Sequence, residues 1–260
     1  MNENIKISIV TPSYNQGEFI EQTIQSVLNQ TYKNIEYIII DGGSTDNTLE
    51  IIDKYRNKID IVISEKDKGQ SDAINKGFKL ATGTLVGWIN SDDLLYPDCV
   101  EQMVKLYTEH PDGSIYYPVL LDYIDREGKL LYQSARIIPN RNHLLNKNYS
   151  VTQQGSFYNT YLVKQIGYLD ESIYYCMDLD LWLRLLNENG KIYGFQLQAL
   201  AAFRMWEDTK TTQAGTRFLQ NTKQVLNCHG AGKFSKAKIH LLYMAFRIWG
   251  GKIKRQITKK

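Results

Sequence analysis

Along the first ~110 residues, hydrophobic positions alternate between two periods. Ile7-Ser8-Ile9-Val10, Ile35-Glu36-Tyr37-Ile38-Ile39-Ile40, Ile59 to Ile63 and Leu85 to Ile89 are short, apolar runs bounded by Gly, Pro, Asn or Asp, as strands are. Between them apolar residues recur at helical spacing: Phe19, Ile20, Ile24, Val27 and Leu28; Leu49, Ile52 and Tyr55; Ala73, Ile74, Phe78 and Ala81; then Val100, Met103, Val104 and Tyr107 after Pro97. The nearly unbroken Ile35 to Ile40 run belongs in a sheet buried on both faces. Strand and helix in alternation predict an α/β fold with a doubly wound, mostly parallel sheet and right-handed crossovers. Thr11-Pro12 is expected to end the first strand, because proline cannot donate to a central ladder. Asp46 or Ser44 is the expected cap of the second helix.

After Pro111-Asp112-Gly113 the pattern changes. Ile115 to Ile124 and Leu130 to Gln133, around Asp125-Arg126-Glu127-Gly128-Lys129, predict a hairpin that mixes antiparallel strands into the sheet. Asn140 to Tyr149 is polar and irregular, the expectation for a loop over a site. Tyr161 to Ile166 and Asp178 to Leu186 read as short helices, ended by Gly167 and by Asn189-Gly190. Lys191 to Phe203 reads as one last strand. With no internal repeat or low-complexity linker, residues 1–208 are expected to form one domain, in two halves over about 1–110 and about 111–208. Residues 209–260 follow as a helical basic tail.

Composition narrows the class. Of 260 residues, 43% are hydrophobic and 23% charged, which fits a soluble globular chain, and no apolar run is long enough to span a bilayer. The N-terminus runs directly into a strand pattern, so no signal peptide is expected. Cys99, Cys176 and Cys228 are odd in number and widely spaced, which suits a reducing cytoplasm and argues against a disulfide frame or a zinc site. His110, His143, His229 and His240 lack ligand spacing and receive no role.

The net charge of +3 hides an asymmetry: after Asp208 there is no acidic residue, while twelve Lys and Arg follow. Phe234 to Trp249, rich in large apolar residues and flanked by Lys252-Ile253-Lys254-Arg255, reads either as an interfacial helix on an anionic membrane, peripheral on the inner face of the plasma membrane, or as a helix packed on the domain. No nucleic-acid recognition module accompanies the basic charge, so nucleic acid is not an expected partner.

The candidate chemistry lies at strand ends, where open α/β sheets bind ligands. Thr11-Pro12-Ser13-Tyr14-Asn15, Asp41-Gly42-Gly43-Ser44-Thr45-Asp46, Lys68-Gly69-Gln70-Ser71-Asp72 and Asn90-Ser91-Asp92-Asp93 all fall on one side of the predicted sheet. Adjacent carboxylates such as Asp92 and Asp93 repel each other unless a cation or proton relieves them, and a divalent ion carrying a phosphorylated substrate would do so. A turn followed by a helix cap would account for Asn90 to Asp93 equally well.

Taken with Met177-Asp178-Leu179-Asp180-Leu181-Trp182-Leu183-Arg184-Leu185, these four elements resemble the inverting family-2 glycosyltransferases of the GT-A fold, over residues ~5 to ~207. The resemblance implies a Rossmann-like, mostly parallel sheet flanked by helices. It further implies transfer of a hexose-type sugar from a nucleotide-sugar donor, a UDP-sugar by expectation, to a glycan or lipid-linked acceptor in surface-polysaccharide synthesis. On it, Pro12, Tyr14 and Asn15 match the segment along base and ribose, Asp41 the acid that accepts from the pyrimidine N–H, and Asp72 a residue of the nucleotide-sugar pocket. Asn90-Ser91-Asp92 stands for the family's Asp-x-Asp motif. Its first acid is absent here, so Mn²⁺ or Mg²⁺ would rest on Asp92, with Asp93 and phosphate oxygens assisting, while Asn90 keeps only hydrogen-bonding capacity. Asp178 matches the catalytic base, with Asp180 as a weaker alternative and Met177 in place of the usual Glu. Gln154 matches an acceptor-side amide, Arg204 a basic residue for diphosphate oxygens, and Trp206 an aromatic for a sugar face. Asn90 and Met177 also leave open a catalytically impaired protein that only binds nucleotide-sugar.

Overall fold

A computed structural model describes residues 5–207 and 209–257, without the side chains of 210–214 and 248–257. Strands β1 (Ile7–Ser13), β2 (Ile35–Asp41), β3 (Ile61–Ser64) and β4 (Leu85–Trp88) are parallel neighbours and alternate with helices α1 (Ile20–Leu28), α2 (Thr48–Lys54) and α3 (Gln70–Leu80). Period-2 alternation sorts their side chains onto two layers. Ile38 and Ile40 join Val10, Val86, Ile74 and Phe78 on one face. Tyr37 and Ile39 join Ile7, Ile9, Ile24, Ile52 and Met103 on the other.

The seven-stranded sheet is completed by β6 (Ile115–Pro118), β9 (Phe157–Asn159) and β10 (Ile192–Phe195), in the order β10-β6-β9-β4-β1-β2-β3. Only β9 runs against its neighbours β4 and β6. A second, four-stranded sheet has the order β5-β11-β7-β8, from β5 (Leu94–Leu95), β11 (Ala201–Arg204), β7 (Leu120–Ile124) and β8 (Leu130–Ala135). Helix α4 (Cys99–Glu109) lies between β5 and β6 in the chain, and α5 (Arg141–Asn146), α6 (Thr160–Gln165) and α7 (Met177–Leu185) belong to the second half.

Several boundaries move for physical reasons. β1 continues through Pro12 to Ser13, because β4 accompanies it only as far as Val10 and Pro12 therefore has a ladder partner on one side alone. The expected hairpin exists as β7 and β8, but it forms in the second sheet, and the Ile115 to Ile124 run divides at Val119 between the two sheets. The run from Lys191 to Phe203 divides in the same way into β10 and β11. The stretch expected as a loop over 140–149 contains α5, whose Leu144 and Leu145 are buried and whose Asn140 side chain accepts from His143 N. Asn47, not Asp46 or Ser44, is the N-cap residue of α2, although Asp46 Oδ1 still accepts from Thr48 N at 3.0 Å.

The tail is helical: α8 (Lys210–Cys228), broken at Gly215, and α9 (Lys236–Ile257). The boundary residue Asp208 and residues 258–260 lie outside the described ones, as do the side chains of Trp249, Lys252, Ile253, Lys254 and Arg255. Ala237 and Leu241 of α9 are buried against the body, whereas Ile239, Leu242, Tyr243 and Phe246 are exposed. Among the described residues no helix is long and apolar enough to cross a membrane.

Candidate active site

The ends of β1 and β4, the start of α3, the segment 149–154, the start of α7 and the second sheet enclose a cleft of about 570 Å³. Of the residues singled out in the sequence, Pro12, Tyr14, Asn90, Ser91, Asp92, Gln154, Asp178 and Trp206 line it, whereas Asn15, Asp41, Asp72 and Arg204 do not.

The acid pair is held from three directions. Asp93 is fully buried: its Oδ1 accepts from Arg204 N, and its Oδ2 from Asn90 Nδ2 and Gln154 Nε2, each at 2.9 Å. Burial and the adjacent Asp92 charge together push the Asp93 carboxyl up to about 8, against the pull of those three donors. Asp92 is raised as well, mainly by burial, although its Oδ2 accepts from Trp206 Nε1 at 3.0 Å. Asn90 therefore buttresses Asp93, with its own Oδ1 accepting from Gln70 Nε2 at 2.8 Å. A third carboxylate at residue 90 would add repulsion where this chain has a donor.

Both Asp93 oxygens are committed, so Asp92 is the acid whose side chain faces the cleft. Among the described residues no group of three or more His, Cys, Asp or Glu could hold a metal ion. A raised, mutually repelling acid pair with one carboxylate on the cleft suits a divalent cation bound through that carboxylate, phosphate oxygens and water, the ligand set that Mg²⁺ accepts.

Arg204 is not available for diphosphate. It is fully buried, with Nε donating to Asp92 O at 2.8 Å, NH1 to Arg126 O at 2.7 Å and NH2 to Gln22 Oε1 at 2.7 Å, so it ties the acid loop to the second sheet and to α1. Asp41 is likewise enclosed: its Oδ2 accepts from Gly43 N and Ser44 N at 3.0 Å and from Ser64 Oγ at 2.7 Å, which shapes its own loop. Asn15, at φ 51°, joins that loop, accepting from Thr45 N at 2.8 Å. Asp72 accepts from Lys68 N at 3.0 Å and has Lys76 one turn on, the behaviour of a first-turn helix acid.

Asp67, which the sequence reading left out, lines the cleft beside Gly42, where an added Cβ would stand 2.5 Å from Asp67 Oδ2. Its position after β3 is a strand end like the others, and that rule would have found it. Gln153, from the acceptor-side segment of the resemblance, and Tyr149, from the stretch expected over the site, also line the cleft, as do Tyr123 and Arg136, which carry no sequence signal.

Asp178 stands in the first turn of α7, which follows Cys176 in the left-handed conformation at φ 61°. Trp182, one turn further, is fully buried against Tyr117 and donates to Tyr158 OH at 3.1 Å, so the helix that presents Asp178 is anchored in the core. Asp180 faces away: it is buried against Arg184 and His229, and it does not line the cleft.

Residues 8–166 match glycosyl transferase family 2. This chain belongs to that family. An uncharacterized glycosyltransferase of Rickettsia typhi is 29% identical over 223 residues, which are 82% of this chain and 68% of that protein. The chondroitin synthase of Escherichia coli is 38% identical over 127 residues, 48% of this chain but only 18% of the synthase. Among solved structures, residues 1–349 of Staphylococcus aureus TarS in complex with UDP-GlcNAc superpose with a TM-score of 0.67 at 19% identity, over 94% of this chain and 72% of that one. The mannosyltransferase PcManGT of Pyrobaculum calidifontis, in complex with GDP-Man and Mn²⁺, gives 0.66 at 14%, over 96% and 75%. The fold is GT-A, and family membership makes the chain a glycosyltransferase.

Proposed function

We propose that this chain moves a hexose-type sugar from a UDP-sugar to a glycan or lipid-linked acceptor with inversion, in the synthesis of a surface polysaccharide. Residues 1–208 serve as the catalytic unit. The observation that carries this reading is the joint placement of Asp92 and Asp178 on one cleft whose end is formed by Pro12 and Tyr14.

In this reading the half-exposed ring of Tyr14 packs along the base. Asp67, rather than the enclosed Asp41, offers the carboxylate beside it. Asp92 would hold Mn²⁺ or Mg²⁺, and the ion would offset charge on the departing diphosphate. Asn90, Gln154 and the backbone N–H of Arg204 keep the acid pair in place. Asp178 removes the proton from the acceptor hydroxyl as that oxygen attacks the anomeric carbon, which single-displacement inversion requires of one carboxylate. The exposed apolar residues of α9, in a tail without acids, favour a position beside an anionic membrane face that carries the acceptor.

Calorimetric binding of UDP, GDP and dTDP, each with Mn²⁺, Mg²⁺ or chelator, tests the donor site. UDP is expected to bind in a metal-dependent way that Asp92→Ala abolishes. Failure of all three nucleotides to bind would sink the reading.

A further inference from the structure

Among the described residues that line the cleft, Arg136 is the only one with a basic side chain. It follows β8 directly, and its backbone N–H bonds Val119 O at 2.8 Å, at the start of β7. Its guanidinium lies over the Tyr123 ring at 5.8 Å and donates through NH2 to the Tyr123 hydroxyl. NH1 is closed off from solvent and has no hydrogen-bond partner. A guanidinium carries five donors in a fixed fork, and leaving one buried and unpaired costs free energy until an acceptor arrives. An oxyanion that reached it from the cleft would supply that acceptor.

Two anions could meet this side chain: the donor diphosphate or a charged group on the acceptor. Strand register separates them. Asp93 is held by the N–H of Arg204, which pairs with Ile124 at the far end of β7. The backbone of Arg136 lies beside Val119, five residues back and about 16 Å along an extended strand, although its guanidinium reaches forward to Tyr123. On the other side, Ile138 N donates to Tyr117 OH at 2.8 Å, and the Tyr117 ring meets Trp182 edge-on at 5.4 Å, one helical turn from Asp178. The backbone that carries Arg136 is thus braced against the helix of the base, which favours the acceptor, and the UDP measurements below decide between it and the diphosphate.

We propose that Arg136, held in place by Tyr123, recognises an anionic acceptor, a sugar that carries a carboxylate or a phosphate. The inference rests on the transferase reading above and names its acceptor class. A planar fork meets either oxyanion through two parallel hydrogen bonds, which a lysine ammonium cannot reproduce.

The test is ligand-observed NMR titration of glucuronate, glucose 6-phosphate and glucose into the free and the UDP–Mn²⁺-loaded protein, for wild type, Arg136→Gln and Arg136→Lys. UDP affinity is measured in parallel, and the thermal midpoint reports folding. At least one of the two anionic sugars is expected to bind about tenfold or more tightly than glucose, and which one does identifies the charged group. Arg136→Gln should remove the preference and Arg136→Lys should keep part of it, with UDP affinity equal in all three proteins. Equal binding of all three sugars to wild type would overturn the proposal, as would a preference that survives in Arg136→Gln. A tenfold loss of UDP affinity in Arg136→Gln would instead assign the residue to the diphosphate. If wild type binds no UDP, the transferase reading falls, while the titrations on the free protein still decide whether Arg136 selects anions.

Discussion

His229 Nε2 lies 2.8 Å from Asp180 Oδ1, which joins the tail just beyond α8 to the helix that presents Asp178. Arg184 Nε approaches the other oxygen of the same carboxylate at 2.7 Å. Burial alone would raise Asp180, but its bonds to His229 and Arg184 hold it below the usual aspartate value. Its folded value being the lower one, the carboxylate's contribution to stability is complete above the ordinary Asp range and is lost as pH falls below it. Asp180→Asn should cost about 2–3 kcal/mol at neutral pH, since it strands two partly buried donors. Denaturant unfolding against pH checks this, with the gap between variant and wild type closing in acid.

Arg204 predicts an outcome that a diphosphate contact would not. Its guanidinium spends its bonds on backbone oxygens of Asp92 and Arg126 and on Gln22. Arg204→Lys should therefore fail to rescue Arg204→Ala, because one ammonium cannot span partners arranged around a planar fork. Both variants are expected to lose about 2–4 kcal/mol of stability in urea unfolding. A lysine variant with wild-type stability would refute the strut role.

For Asp178, the expected result of Asp178→Asn is a fall in transfer rate of about 10²–10⁴-fold, with the dissociation constant for UDP held within about twofold. Paired initial-rate and calorimetric measurements decide it. A matching loss of UDP affinity would move Asp178 from base to donor contact.

Glu36 supplies an acid limit to stability far from the site. Burial would raise its carboxyl, but bonds from Ser8 Oγ, Thr82 N and Oγ1 and Lys6 Nζ bring it from 4.5 down to about 2. That stabilisation is fully present above pH 4.5 and disappears as pH falls towards 2. Screening at the half-exposed Lys6 end leaves a contribution on the order of 1–2 kcal/mol. Glu36→Gln should lower the thermal midpoint at pH 7 and flatten its fall between pH 5 and pH 2, by about that amount; parallel curves for the two proteins would refute it.

Periodicity located the strands β1 to β4 and the three helices between them, because Ile35 to Ile40 and its neighbours satisfy local pattern and tertiary burial at once. It missed β9, whose Phe157–Asn159 segment is too short to show a period and is recruited by the gap between β4 and β6. It also merged β6 with β7 and β10 with β11, since a change of sheet at Val119 leaves no mark in apolar spacing. At the site, the placement of Asp92, Asp178 and Tyr14 on the cleft was legible from their motifs. Asp41 and Arg204 were not, because whether an acid or a guanidinium faces a ligand or its own loop depends on which donors and acceptors surround it. His229 shows the converse: it lacks ligand spacing in the sequence and acquires its partner only through the packing of the tail.

The bonds that hold Asp93 span very different stretches of chain: Asn90 is 3 residues away, Gln154 is 61 and Arg204 is 111. During synthesis, the acid pair leaves the ribosome on the order of ten seconds before its last donor exists. Until then Asn90 is the local donor, and a chain stopped shortly after residue 93 would carry the two acids without the support of Gln154 and Arg204. The acid pair therefore reaches its final setting only through contacts far apart in sequence, the kind of pairing that slows folding.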